Sequence, residues 1–203
     1  MYLNSIPAVL RFLLPSNLEW NIKTTHPEIF LTFDDGPVPE VTPWVLDQLD
    51  RFEAKATFFC VGDNVRNYPE VYRMILERGH MTWNHTYNHL KAWKTSQSEY
   101  LLNIAKCKDL VESTLFRPPH GQIKPSLARM LRHDYRIIMW SILSRDFDRE
   151  ISPSQCLEIA IKGTNRGSVV VFHDSIKAWN NLETALPGYL EYFTQKGFRF
   201  STL

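Results

Sequence analysis

Two adjacent carboxylates, Asp34 and Asp35, follow the apolar run Ile29 to Phe33 and are followed at once by Gly36-Pro37. The run reads as a short buried strand broken by its turn residues. Neighbouring like charges at a strand end repel and are costly to desolvate, so they call for a compensating cation. A metal ion can bind one carboxylate and leave the other as a base; Asp-Asp-Gly is equally ordinary turn chemistry. Further along, His85-Thr86-Tyr87-Asn88-His89 spaces two imidazoles at i and i+4. On one helical turn they share a face and can grip one metal from a single element. Thr86 stands where a zinc protease carries its glutamate base, so the base must come from elsewhere, and the aspartate pair can provide it. Two histidines and a carboxylate, with a position open to water, are the ligands of a catalytic zinc site.

The elements that must carry these residues alternate in type. Strand-like runs at Ile29 to Phe33, Ala56 to Val61, His80 to Trp83, Leu115 to Arg117, Tyr135 to Ile142, Ser168 to Phe172 and Phe198 to Thr202 are separated by helical patterns. The first helix is expected to be capped by Thr42, with Pro43 at its first position. Others span Pro69 to Arg78, Ser98 to Ser113, Ser126 to Arg132, Pro153 to Ile161 and Leu182 to Phe193, the last with Pro187 as a kink or an early position. About seven strands alternating with six helices predict an α/β fold with a parallel sheet. An open doubly wound sheet fits the alternation equally well. The polar signatures favour a barrel, because Asp34-Asp35, Arg117 and His173 each sit just after a strand, and barrel strands converge on one mouth.

At 203 residues the chain is long enough for one domain. With 23 Lys and Arg against 22 Asp and Glu, interspersed, nothing suggests nucleic-acid binding. The lysines from Lys91 to Lys94 and from Lys106 to Lys108 read as solvated faces. Cys60, Cys107 and Cys156 show no C-x-x-C spacing and read as buried free thiols. Met1 to Leu14 is apolar but interrupted by Pro7 and Arg11, with no basic start and no cleavage site. It is expected to be an amphipathic segment, with residues 1–25 packing on a domain of residues 26–203. No stretch reaches a membrane-spanning length, and the expectation is a cytoplasmic protein; oligomeric state has no signal in the sequence.

Thr32-Phe33-Asp34-Asp35-Gly36-Pro37, His85 to His89, Arg117-Pro118-Pro119-His120-Gly121 and Val170-Val171-Phe172-His173-Asp174 together resemble the polysaccharide deacetylases, carbohydrate esterase family 4 or the NodB-homology family. The resemblance implies a distorted (β/α) barrel of about seven parallel strands. It implies a hydrolase that removes N-acetyl groups from amino sugars of a GlcNAc-containing oligo- or polysaccharide, whether peptidoglycan, chitooligosaccharide or lipid-linked sugar. Asp35, His85 and His89 would hold a divalent metal, zinc before cobalt or nickel, and Asp34 would be the base. Arg117 would orient Asp34, the backbone N–H of His120 after Pro119 would help hold the oxyanion, and His173 would be the general acid. Among the aromatic residues, Trp93 and Trp179 are the candidates for a sugar groove. Two other readings are open: hydrolysis of a formyl or cyclic-imide C–N bond on the same scaffold, and a non-catalytic, metal-containing carbohydrate-binding protein.

Three departures from the family pattern matter. Trp83 replaces a glycine two positions before His85, so its ring must fill the barrel interior or crowd the metal. His120 replaces a tyrosine and can bind a sugar or offer a further metal contact. Leu143 falls where the family carries the aspartate that supports its catalytic histidine; Asp146 and Asp148 stand close by. Unless one of them reaches His173, that histidine has a lower pKa and is a weaker acid.

Overall fold

The computed structural model describes Pro15 and residues 17–203. Among the described residues nine strands form one sheet: β1 (Leu18–Glu19), β2 (Glu28–Asp34), β3 (Thr57–Cys60), β4 (Met81–Asn84), β5 (Leu115–Phe116), β6 (Arg136–Ile138), β7 (Ile142–Leu143), β8 (Val169–His173) and β9 (Arg199–Phe200). Their order is β1-β6-β5-β4-β3-β2-β8-β7, with β9 added beside the start of β2, and the pairs are parallel. The sheet curls into the expected distorted barrel. Its two ends are joined by the chain itself, because the strand expected over 135–142 is split. Its first part, β6, pairs with β5 and β1, whereas its second part, β7, pairs with β8. Between them, Met139 donates its N–H to Glu19 and Ser141 donates to Val169.

Seven α-helices are present among the described residues: α1 (Thr42–Arg51), α2 (Gly62–Asn67), α3 (Pro69–Glu77), α4 (Gln97–Lys108), α5 (Pro125–Leu131), α6 (Pro153–Lys162) and α7 (Trp179–Gln195). Helix α7 buries Leu182, Ala185, Leu186, Tyr189, Leu190 and Phe193, a stripe at helical spacing that runs through Pro187 without ending the helix. Thr42 does not cap α1; Val41 holds that position, and the Thr42 hydroxyl bonds elsewhere, as described below. Helix α4 begins earlier than expected, capped by Ser96, and ends at Lys108; it buries Ile104, whereas Leu110 is exposed.

Strand alternation divides the core. Ile29, Leu31 and Phe33 of β2 and Val170 and Phe172 of β8 face outward into the layer under α1 and α7. Phe30, Phe59, Leu115, Ile138 and Val169 fill the barrel interior, and Trp83 packs against them. The Trp83 ring therefore plugs the barrel beneath the mouth. The same alternation sends Phe30, Thr32 and Asp34 inward together, with Asp34 last and at the open end.

All three cysteines are free and buried, as expected. From the N-terminal stretch, β1 extends the sheet, and Leu18 and Trp20 join a core with Phe116, Leu127 and Ile137. The amphipathic segment expected over Met1 to Leu14 lies outside the described residues. Among the described residues no helix is long and apolar enough to cross a membrane.

Candidate active site

The parallel register aligns the carboxyl ends of the strands. Asp34 at the end of β2 is opposite His173 at the end of β8. Arg117, one residue past β5, donates its N–H to Asn84 at the end of β4. Asp34, Asp35, His85, His89, His120 and His173 all line one cleft of about 370 Å³ at this mouth.

Asp35, His85 and His89 bring one donor atom each within 4.8 Å of one another. Both imidazole Nε2 atoms converge on Asp35 Oδ1, His89 at 3.1 Å and His85 at 3.7 Å. His85 Nδ1 lies 2.8 Å from the Arg117 carbonyl oxygen, which can only accept, so Nδ1 carries the proton and Nε2 keeps its lone pair. Burial lowers the His85 pKa to about 4, against the nearby Asp34 and Asp35 carboxylates, so the ring is neutral. Burial alone would raise Asp35, but the His89 hydrogen bond and the charge of His173 hold it below the usual carboxylate range. A neutral imidazole, a second imidazole and an ionised carboxylate suit a divalent cation.

The two histidines do not share a helical face, contrary to the expectation. Residues 85–90 form a loop with Thr86 at φ 64° and His89 at φ 54°. Asn84 and Asn103 fold it, through Asn84 Oδ1 to the Thr86 N–H at 2.9 Å and Asn103 Oδ1 to the Tyr87 and Asn88 N–H groups at 2.8 and 3.0 Å. Neither asparagine is legible as functional, because an Asn that folds a loop resembles any turn Asn in the sequence. Asp35 (φ 84°) and His120 (φ 58°) are also left-handed, so four site residues adopt a conformation rare without glycine.

Arg117 is fully buried and holds Asp34 by a 2.6 Å bond between Nη1 and Oδ1. It also donates to Thr32 Oγ1, to Ile138 O and to Met139 O. Those two carbonyls lie at the break between β6 and β7, so one guanidinium closes the barrel seam and orients the carboxylate. Its face stacks on Phe59, 4.0 Å from the ring centroid.

His173 is supported by Asp146. Its Nδ1 lies 2.7 Å from Asp146 Oδ1, and its backbone N–H donates to Asp146 Oδ2 at 2.6 Å. Burial pulls the imidazole down, but the charge and hydrogen bond of Asp146, with Asp35 and Asp34 beyond, raise it to about 9. The carboxylate missing at Leu143 is thus supplied from Asp146, and Leu143 is an apolar wall of the cleft. Asp148 pairs instead with Arg145. Asn181, at the start of α7, donates to the carbonyls of both Asp146 and Asp148 and fixes this loop.

Asp174, on the opposite face of β8 from His173, is buried and ties the aspartate turn to the helix layer. It accepts from the Gly36 N–H at 3.1 Å and the Thr42 hydroxyl at 2.7 Å, and burial raises its pKa to about 8. A Cβ on Gly36 would meet Asp174 Oδ2 at 1.9 Å, which explains the glycine. The sequence offers Asp174 only as a neighbour of His173; its role follows from the alternation of the strand.

The remaining expected contacts are distributed differently. Pro119 is buried and does not line the cleft, and His120 packs edge-on against His89, ring centroids 4.6 Å apart. Trp93 is 68% exposed and does not line the cleft. Trp179 packs edge-on against Trp44 in the helix layer. The aromatic walls are Trp140 and Phe147, and the Phe147 ring stands edge-on to His173. Lys91, expected on a solvated face, lines the cleft together with Lys177.

The family model for polysaccharide deacetylase matches residues 21–138, more than half of the chain. The chain belongs to the polysaccharide deacetylase family. It is 32% identical over 192 residues to a peptidoglycan-N-acetylglucosamine deacetylase of Bacillus cereus, covering 91% of this chain and 90% of that protein. It is 28% identical over 181 residues to the Bacillus subtilis peptidoglycan-N-acetylmuramic acid deacetylase PdaC, covering 86% of this chain but 38% of that longer protein. Among solved structures, a peptidoglycan N-acetylglucosamine deacetylase in complex with a naphthyl N-oxidanyl-benzamide superposes with a TM-score of 0.87 at 28% identity. That superposition covers 98% of this chain and 95% of the other. In this member of the polysaccharide deacetylase family, the four motifs that carry the resemblance meet at one barrel mouth.

Proposed function

We propose that this protein is a metal-dependent hydrolase that removes N-acetyl groups from amino sugars in a GlcNAc-containing glycan. Asp35, His85 and His89 are its metal ligands, and zinc is the metal best suited to two imidazoles and one carboxylate, with cobalt or nickel as substitutes. When bound, the ion supplies Lewis acidity that acidifies water and polarises the amide carbonyl.

Asp34 takes the proton from the attacking water as the oxygen adds to the acetyl carbon. The Arg117 guanidinium holds Asp34 in one orientation and limits its freedom to turn toward Asp35 as a second ligand. Loss of the amine needs a proton on nitrogen, because an amide anion is too basic to leave. His173 provides it: raised to about 9 by Asp146, it is protonated at neutral pH. The C–N bond then breaks, leaving acetate and a free amino sugar. The observation that carries this reading is the pairing of Asp34 with His173 across adjacent strand ends, beside three converging metal donors. The support that His173 receives from Asp146 makes up for the apolar Leu143 and supports an enzyme over a non-catalytic carbohydrate binder.

The test is acetate release from chitotetraose and from peptidoglycan glycan fragments, after chelation and after reconstitution with zinc, cobalt or nickel. Metal-restored release is expected. Turnover that survives complete chelation, or no acetate from either substrate with any of the three metals, would sink the proposal.

A further inference from the structure

Lys91 and Lys177 have no part in the chemistry above. They enter the cleft from opposite sides, Lys91 from the loop after β4 and Lys177 from the loop after β8, with the β2 aspartates between. Both are exposed, and among the described residues neither makes an ion pair. Neither pairs with the cleft carboxylates: Asp34 is held by Arg117, and Asp35 has its contacts with His89 and His85. The Lys177 ammonium sits 5.0 Å from the centre of the Phe147 ring, which aims it along the cleft wall.

Two unpaired ammonium groups beside a site built for a cation repel that cation and each other. An anion that enters with the substrate relieves that repulsion and meets two donors. The neighbouring depression, which also touches Asp35 and His89, has the opposite character. It is lined by Asp63, Asn64, Asn88 and Ser175, without a lysine. The two sides of the metal donors therefore differ in charge, basic on one and acidic-to-neutral on the other.

We infer that Lys91 and Lys177 form an anion subsite, so that the preferred substrate is an acylated amino sugar bearing a carboxylate or phosphate group close to the acetamido that is cut. This deepens the deacetylase reading and rests on it. A carboxylate on an ether substituent of the sugar and a phosphate ester at its anomeric carbon offer the same chemistry to two lysines.

The experiment compares zinc-loaded wild type, Lys91→Gln, Lys177→Gln, the double variant and Lys177→Arg. The substrates are chitotetraose, a tetrasaccharide with muramic-acid carboxylates, and N-acetylglucosamine 1-phosphate. The readout is the ratio of kcat/KM for each anionic substrate to that for chitotetraose, with binding followed separately by calorimetry. In wild type the ratio should fall as salt is raised. In the double variant it should fall about tenfold, mostly through KM, whereas Lys177→Arg should keep it. The anion whose ratio falls is the one recognised. Ratios unchanged for both anions in the double variant would overturn the inference. So would a loss shared equally by all three substrates, which would mean that Lys177 only braces Phe147 against His173. If wild type cleaves none of them, the deacetylase reading has failed. Calorimetry then still decides on the lysines: tighter binding of an anionic sugar, lost in the double variant, supports them, and equal binding refutes them.

Discussion

Replacing Asp146 by Asn tests the acid that the cleft presents to the leaving amine. Asp146 is fully buried, with one oxygen on His173 Nδ1 and the other on its backbone N–H. Asn keeps an oxygen acceptor for the ring and removes the charge. The rise of His173 from 6.5 to about 9 corresponds to roughly 3 kcal/mol in favour of imidazolium, and Asp146 is its main source. Without that charge, burial dominates and the ring should titrate below 6.5. A raised pKa stabilises the fold fully below 6.5 and ceases to do so as pH rises through about 9. The pH-dependent part of the stability lost in the variant should therefore be largest in acid and vanish above that pH, leaving a constant cost because the Asn amide NH2 faces the His173 backbone N–H. A cation at Asp35 opposes the part of the rise due to Asp35 and Asp34, so the alkaline limb of the metal-loaded wild type should lie somewhat below 9. In the variant the limb should move about 2 pH units toward acid, which lowers turnover at pH 8 roughly 30-fold. Acetate release across pH, paired with a proton NMR titration of His173 in the metal-free protein, measures both effects. A folded, metal-loaded variant whose limb and ring titration stay put would refute the assignment of Asp146 as the support.

Other perturbations separate the remaining roles. Asp35→Ala, His85→Ala and His89→Ala should each abolish most metal binding, because two protein donors are too few for an open site, and elemental analysis of the purified variants reads this directly. Asp34→Asn should keep metal and fold while turnover drops roughly 10²-fold or more; equal loss of metal in Asp34→Asn and Asp35→Asn would show that the two aspartates share one role. Arg117→Met should cost about 3–5 kcal/mol in chemical denaturation, since it strands a buried carboxylate and leaves the Ile138 and Met139 carbonyls without their donor. Arg117→Lys should recover little of that loss, because one ammonium cannot span the same four acceptors.

The sequence alone was enough to name the alternation of strands and helices, the strand ends where polar residues gather, and the histidine pair; the family resemblance added Asp35 to that pair, and the fold brings the three within 4.8 Å of one another. These are legible because composition and spacing encode them locally: apolar runs, turn residues, and histidines close along the chain. Its reading of the histidine pair as helical failed, because two ring nitrogens can converge equally well from a loop folded by Asn84 and Asn103, and i,i+4 spacing does not distinguish the two. Likewise, Leu143 looked like a defect until the loop brought Asp146 under His173, three positions later in the chain. Lys91 is exposed, as composition suggests, but only the fold shows that it also lines the cleft. What only the tertiary structure decided are the partnerships across the barrel: Arg117 with the β6–β7 seam, Asp174 with Gly36 and Thr42, and Lys91 and Lys177 on one cleft. Each joins residues far apart in the chain, and such pairs are set by strand register and barrel closure, which no local pattern of residues records.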